Sequence, residues 1–334
     1  MLNPTIIVRK TGGPERLELI DAGMPVAGPG QLLVRVEACG VAFADIVMRM
    51  GFYPGVKVPF TPGYEVVGTV VSGDGFAVGS RVAALTVNGG YARHAVIRAD
   101  HAVAVPDGLS SAKAAALVLN GLTAWQMLTR TLSQPSVEKM LVWGASGGVG
   151  SILIDLGRHF GIETYGVASG RRGDFVTARG GIPIDRAAGD VVEQVRRLSG
   201  GGVDAVFDGV GGSNVKVSQG CLRDGGAVIV FGFQGALGGS KFSPLKMLKG
   251  FVTSPRLSLL SLFQSGLGVR AYIVTQWQDV HPAFTRADLA ELFRLGAASI
   301  IDPAIHVEWP LERAAEAQQL MMDGGQTGKI ILLP

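Results

Sequence analysis

The stretch LVWGASGGVGS (141–151) places Ala145, Gly147 and Gly150 in an A-x-G-x-x-G arrangement, after a strand-like run and before a helical one. Small residues at that spacing let the chain turn tightly and let a pyrophosphate approach the backbone. Ser146, Gly148 and Val149 then open a helix whose first N–H groups and positive dipole end face the phosphates. Roughly twenty residues further on, a dinucleotide-binding unit usually carries an Asp or Glu for the ribose hydroxyls. This chain has GVASGRR (166–172) there instead. A carboxylate would repel a 2′-phosphate, whereas Ser169, Arg171 and Arg172 offer a hydroxyl and guanidinium donors suited to a phosphate dianion. The expected cofactor is therefore NADPH rather than NADH. The plainer alternatives are a tight βα turn and two arginines that solvate a loop, with Asp174 at hand to neutralise one of them.

The elements around these residues fall into two textures. Up to about residue 105, short β-rich runs are cut by Gly and Pro: TIIVRK (5–10), LELI (17–20), QLLVRVEAC (31–39), EVVGTVV (65–71), RVAALTV (81–87) and HAVIRA (94–99). Such a pattern predicts a small barrel or sandwich. From 111 the texture changes. A helical run, SAKAAALVLNGLTAWQMLTR (111–130), leads into strands at 140–144, 163–169, 182–185, 203–209 and 226–232 that alternate with helical stretches. That alternation predicts βαβ units and a parallel sheet, with LGVRAYIV (267–274) as a last strand. The tail adds two helices and a terminal strand that return to the first domain.

Composition bounds the function. With 334 residues, 47% hydrophobic and 17% charged, the chain can bury a large core and is long enough for two domains. A net charge of +3, with scattered basic residues, is no nucleic-acid footprint. Two distant cysteines, Cys39 and Cys221, make no disulfide framework and suit a reducing cytoplasm. The polar N-terminus does not read as a signal peptide. The most apolar stretch, 251–274, is broken by Pro255, Arg256, Gln264, two glycines and Arg270. It is expected to be a buried or interface segment rather than a membrane span.

The order of parts resembles the medium-chain dehydrogenase/reductase superfamily over essentially the whole chain. VEACGVAFAD (36–45), PGYEVVGTVVSGDGFAVGSRV (62–82), NGLTAW (120–125), GASGGVG (144–150), VDAVFDGVGG (203–212) and TGKIILLP (327–334) carry the resemblance. It implies an α/β chain with a GroES-like β-rich domain at 1–121 and 273–334, and a Rossmann doubly wound parallel-sheet domain at 122–272. NADPH and substrate are expected in the cleft, and relatives that pair their Rossmann sheets imply a homodimer.

Within the superfamily, residues separate zinc enzymes from zinc-free reductases. A catalytic zinc needs about three ligands and a structural zinc about four. Where the zinc branch carries a ligand cysteine and histidine, this chain has Ala42 and Tyr64; Glu65 remains as a structural residue, and the five histidines have no ligand spacing. No metal is expected. The resemblance then points to the quinone oxidoreductase and enoyl reductase branch. Tyr53 matches a tyrosine of the substrate cleft and is the catalytic candidate; the alternative is a packing aromatic beside Phe52 and Phe60. Thr123 matches a threonine near the nicotinamide. Arg186 matches a residue near the adenosine, while Val210, Phe231, Gly232 and Tyr272 sit at strand ends that can wall the nicotinamide pocket. For each, strand-end or helix packing is the alternative. Asp45 and Arg49 match a charged pair of the branch and read first as an i,i+4 pair. Ala42 departs from an asparagine common in zinc-free members, for which Asn120 is a possible stand-in.

The reading of the sequence is hydride transfer from NADPH to a quinone or α,β-unsaturated carbonyl, a small-molecule partner. Its rivals are a 2-enoyl thioester reductase and, from another class, a nucleotide-binding structural or membrane-peripheral protein with little turnover.

Overall fold

The computed structural model describes residues 2–132, 137–168, 170, 172–237 and 259–334. Ser169, Arg171 and residues 251–258 of the apolar stretch lie outside the described residues. The β-branched runs of the first part form strands. β1 (Pro4–Ile7) and β2 (Glu18–Asp21) make an antiparallel ribbon. β3 (Gln31–Gly40) alternates apolar and polar residues along its middle, with Leu32, Val34 and Val36 in the core and Arg35 outward. Helix α1 (Phe43–Arg49) follows, then β4 (Glu65–Gly73), β5 (Arg81–Leu85), β6 (His94–Arg98) and β7 (Val103–Ala104). Helix α2 (Ser111–Ala116) starts at Ser110, whose hydroxyl accepts from the Lys113 N–H. The single helix read over 111–130 is in fact broken: wide i→i+5 turns at Leu117–Gly121 and Met127–Thr131 flank α3 (Leu122–Gln126).

Strand and helix then alternate: β8 (Lys139–Trp143), α4 (Gly148–Phe160), β9 (Glu163–Ala168), α5 (Arg172–Ala178), β10 (Ile182–Asp185), α6 (Val191–Ser199), β11 (Val203–Asp208), α7 (Asn214–Gly220), β12 (Leu222–Val230), α8 (Leu259–Ser265) and β13 (Gly268–Ala271). All neighbours in this sheet are parallel, in the order β10-β9-β8-β11-β12-β13. That is the doubly wound order, whose switch point lies between β8 and β11. β11 is buried at every position, as a central parallel strand covered on both faces must be. The chain returns through α9 (Val274–Val280), α10 (Pro282–Ala297), β14 (Ile305–Pro310), α11 (Ala314–Asp323) and β15 (Lys329–Leu333). β15 pairs with β3 and with β14, completing a seven-stranded sheet ordered β14-β15-β3-β4-β5-β7, with β6 on β3. α9 and β14 had no clear sequence signal.

The chain divides into two compact units, Met1–Leu122 with Val274–Pro334, and Thr123–Ile273. Each has its own core, one around Val34, Val66 and Ile330, the other around Leu141, Val206 and Val228. In the described part of the apolar stretch, Leu260 and Phe263 on α8 are 65% and 85% exposed, whereas Tyr272 and Val274 are buried. Among the described residues, no helix is long and apolar enough to cross a membrane.

Candidate functional site

The glycine turn sits between the end of β8 and the start of α4. Gly144 turns the chain at φ +66°, and Gly147, extended, becomes the N-cap of α4. A Cβ at Gly150 would stand 2.4 Å from the Gly144 carbonyl oxygen and 2.7 Å from the Ala145 Cα. That position therefore excludes any side chain, because helix and turn backbones touch there. Gly147 supplies no side-chain cap, and the first turn of α4 holds no acid. The N-terminal amides that a helix leaves without internal partners thus face no group of their own. Helix α6 is the contrast: its Asp190 carboxylate accepts from the Glu193 N–H and fills that terminus. An anion fits the first terminus and not the second. The residues present fit a dinucleotide pyrophosphate.

The parallel sheet brings other expected positions to the same carboxyl edge. Val142 of β8 is in register with Phe207 of β11, so the glycine turn and the Gly209–Gly212 turn flank the switch point. Both oxygens of the buried Asp208 are engaged within that second turn: Oδ1 accepts from the Val210 and Gly211 N–H groups at 2.8 and 2.9 Å, and Oδ2 from Asn214 and Ser218 at 3.0 and 2.8 Å. Asp208 shapes the turn and has no oxygen left for a ligand. Phe231 and Gly232 follow β12, and a Cβ on Gly232 would meet the Gly209 carbonyl oxygen at 2.6 Å. Arg172 opens α5 and is partly buried, while Arg186 is exposed after β10. Thr123 is buried. Tyr272 is buried too, and its hydroxyl donates to Gln126 Oε1 at 2.6 Å, so only its ring is available for packing.

The first unit holds Tyr53 and Tyr64. α1 ends just before the loop that carries Tyr53, and Asp45 fastens both ends of that region. Its carboxylate accepts from the Ala42 N–H and the Gly63 N–H, each at 2.9 Å, and from the Tyr91 hydroxyl at 3.3 Å. Burial pushes the Asp45 carboxyl up to about 6, against the backbone donors that hold it down. Arg49 points elsewhere, donating to Gln318 at 2.7 Å and to the Gly12 carbonyl. The expected Asp45–Arg49 pair does not form, because each side chain finds buried backbone or amide partners that leave no unpaired group. Tyr53 is half-buried, with its hydroxyl oxygen 2.8 Å from that of Tyr64. Tyr64, considered in the sequence only as a lost ligand, is therefore part of the constellation. A hydroxyl that must be buried needs a partner, and that is the signal the sequence offered.

The donor set does not fit zinc. Ala42 and Tyr64 supply no ligand, and Glu65 is neutralised by Lys329, whose Nζ lies 2.7 Å from its Oε1 with both side chains buried. Among the described residues, no group of three His, Cys, Asp or Glu is placed to hold a metal. Burial raises Glu65 to about 7, with Lys329 opposing. It also raises the buried thiol of Cys39 well above its ordinary range, which leaves it unreactive.

A doubly wound parallel sheet with an open glycine turn at its switch point defines a dinucleotide-binding Rossmann unit, here joined to a GroES-like β-rich unit. Residues 28–107 match the family described as alcohol dehydrogenase GroES-like domain, and residues 182–332 the family described as zinc-binding dehydrogenase. The chain is 30% identical to the synaptic vesicle membrane protein VAT-1 homolog of Mus musculus, over 98% of this chain and 83% of that one. It is also 30% identical to the quinone oxidoreductase of Homo sapiens, over 96% and 95%. Among solved structures, Escherichia coli quinone oxidoreductase complexed with NADPH is similar at TM-score 0.85 and 26% identity, over 99% of each chain. The chain belongs to the medium-chain dehydrogenase/reductase superfamily, in its quinone oxidoreductase-like branch, as the sequence resemblance implies.

Proposed function

We propose that the protein is a zinc-independent oxidoreductase that transfers hydride from NADPH to a quinone or an α,β-unsaturated carbonyl. The observation that carries this reading is the uncapped α4 terminus at the switch point, where Gly150 leaves no room for a side chain. Bound there, NADPH supplies the hydride from its nicotinamide C4. The chain's own residues do the rest. The amides of Ser146, Gly148 and Val149, beside Ala145 and Gly147, hold the pyrophosphate. Ser169, Arg171 and Arg172 take the 2′-phosphate, and Arg186 lies along the adenosine. Val210, Phe231, Gly232, Thr123 and the Tyr272 ring shape the nicotinamide pocket. Tyr53 donates to the acceptor oxygen, where negative charge gathers as hydride arrives. Neutralisation of Glu65 by Lys329, and the residues at 42 and 64, support chemistry without zinc. The same reading carries a cytoplasmic homodimer acting on a small molecule.

The test is NADPH oxidation by the purified protein, run in parallel with 1,2-naphthoquinone and a short 2-enoyl thioester. Faster turnover of the quinone supports the proposal, and preference for the thioester moves the protein to acyl chemistry. A second reading has one specific support. VAT-1 homologs, named for a vesicle membrane, are as similar as the quinone oxidoreductase. NADPH binding with no turnover of either acceptor favours that reading, a binding protein with little catalysis.

A further inference from the structure

Tyr64 has no task in the chemistry described so far, although it is only 3% exposed and carries a hydroxyl. Its backbone is pinned on both sides. The Tyr64 carbonyl accepts from the Thr86 and Val87 N–H groups at 2.9 and 3.2 Å, and Gly63 before it is bonded to Asp45. Gly63 itself stands at φ +111°, where a Cβ would come within 2.5 Å of Gly90, so this segment has one available path. The side chain is equally constrained. Its ring meets that of Tyr53 edge to face, with centroids 6.4 Å apart at 73°, and the two hydroxyl oxygens are 2.8 Å apart.

A phenol has one proton to donate and oxygen lone pairs to accept with. Burial first, then the neighbouring Tyr53, raise Tyr64 far above the ordinary tyrosine range, so it stays a donor at every working pH. The buried Tyr64 hydroxyl is satisfied as a donor when it gives its proton to Tyr53. That leaves the Tyr53 proton as the free end, on the one tyrosine of the pair that is not fully buried. Donors in series also polarise one another, so Tyr53 becomes a stronger donor by accepting from Tyr64.

We propose that Tyr64 is a positioning residue: its buried hydroxyl donates to Tyr53 and turns the Tyr53 proton toward the carbonyl oxygen of the acceptor. The inference rests on the reading of Tyr53 as the donor in the proposed reduction. It replaces a metal ligand's position with a hydroxyl relay whose function is orientation.

The test is steady-state kinetics of the full chain with NADPH and 1,2-naphthoquinone, comparing Tyr64→Phe, Tyr53→Phe and the double variant. Tyr64→Phe keeps the ring and loses one hydrogen bond, so kcat is expected to fall about fivefold with KM for NADPH unchanged. In the Tyr53→Phe background the same change is expected to do nothing further, because the bond it removes has already lost its receiver. The inference is overturned if Tyr64→Phe costs the same factor in both backgrounds, which marks a packing role, or if it leaves kcat untouched while Tyr53→Phe impairs it. If Tyr53→Phe turns over like the unaltered protein, the donor reading of Tyr53 fails, and the relay with it.

Discussion

The glycine turn of the second unit and the tyrosine pair of the first are built from opposite materials. The turn works by the absence of side chains: Gly147 offers no cap, Gly150 no Cβ, and the ligand is left to bare amides. The pair works by side chains that meet only after folding, Tyr53 from a loop and Tyr64 from the approach to β4. The same unit holds a layer of buried charge, with Asp45 on backbone amides and Glu65 on Lys329. The lesson is that a backbone site is encoded by local spacing, whereas a side-chain site also needs a scaffold to hold polar groups where water cannot reach. The two should therefore fail differently.

The largest effect is expected in that charged layer. Lys329→Met leaves Glu65 buried without its partner and should lower stability by about 3–5 kcal/mol, seen as a drop in the thermal midpoint. The layer also sets a pH dependence. Burial raises Asp45 to about 6 and Glu65 to about 7, from ordinary values of 3.8 and 4.5. The folded protein thus binds more protons than the unfolded chain between these values. The stability tied to both groups is complete at about pH 4 and is lost as pH rises toward about 7. Thermal midpoints should decline over that window, and Glu65→Gln should flatten the decline.

Next comes the turn itself. Gly150→Val places side-chain atoms against the Gly144 carbonyl and should weaken NADPH binding by about a hundredfold, the scale of about 3 kcal/mol of overpacking, read by fluorescence titration. A variant that binds NADPH normally would break the contrast between the two sites. Tyr53→Phe should instead leave NADPH affinity intact and lower kcat about a hundredfold. The smallest effect distinguishes cofactors. Changing Arg171 and Arg172 to Ala should cost NADPH about tenfold in affinity and NADH little, because only one of them carries the 2′-phosphate. Equal losses for both cofactors would remove the arginines from that role.

The sheet was legible because its signals are local. Runs such as VDAVFD and GVGSILIDLGRHF carry their own periods, and the A-x-G-x-x-G spacing names the turn. The tyrosine pair was not, because nothing within eleven residues tells Tyr53 and Tyr64 to meet. Their approach depends on Asp45 bonding Gly63 across the α1 loop. Asp45 and Arg49 show the same limit from the other side. Helical spacing suggested an ion pair, and tertiary partners, Gly63 for one and Gln318 for the other, took both groups away. Helix α9, only seven residues long, and strand β14 were missed because short elements stabilised by packing leave little periodic signal.

The central claim is hydride delivery from NADPH by this chain, and one measurement meets it directly: turnover of an enone with NADPH carrying deuterium at nicotinamide C4. The account predicts a primary isotope effect on kcat/KM and the deuterium bound to carbon in the reduced product. Bound NADPH that is never oxidised, or a product without the label, would contradict it.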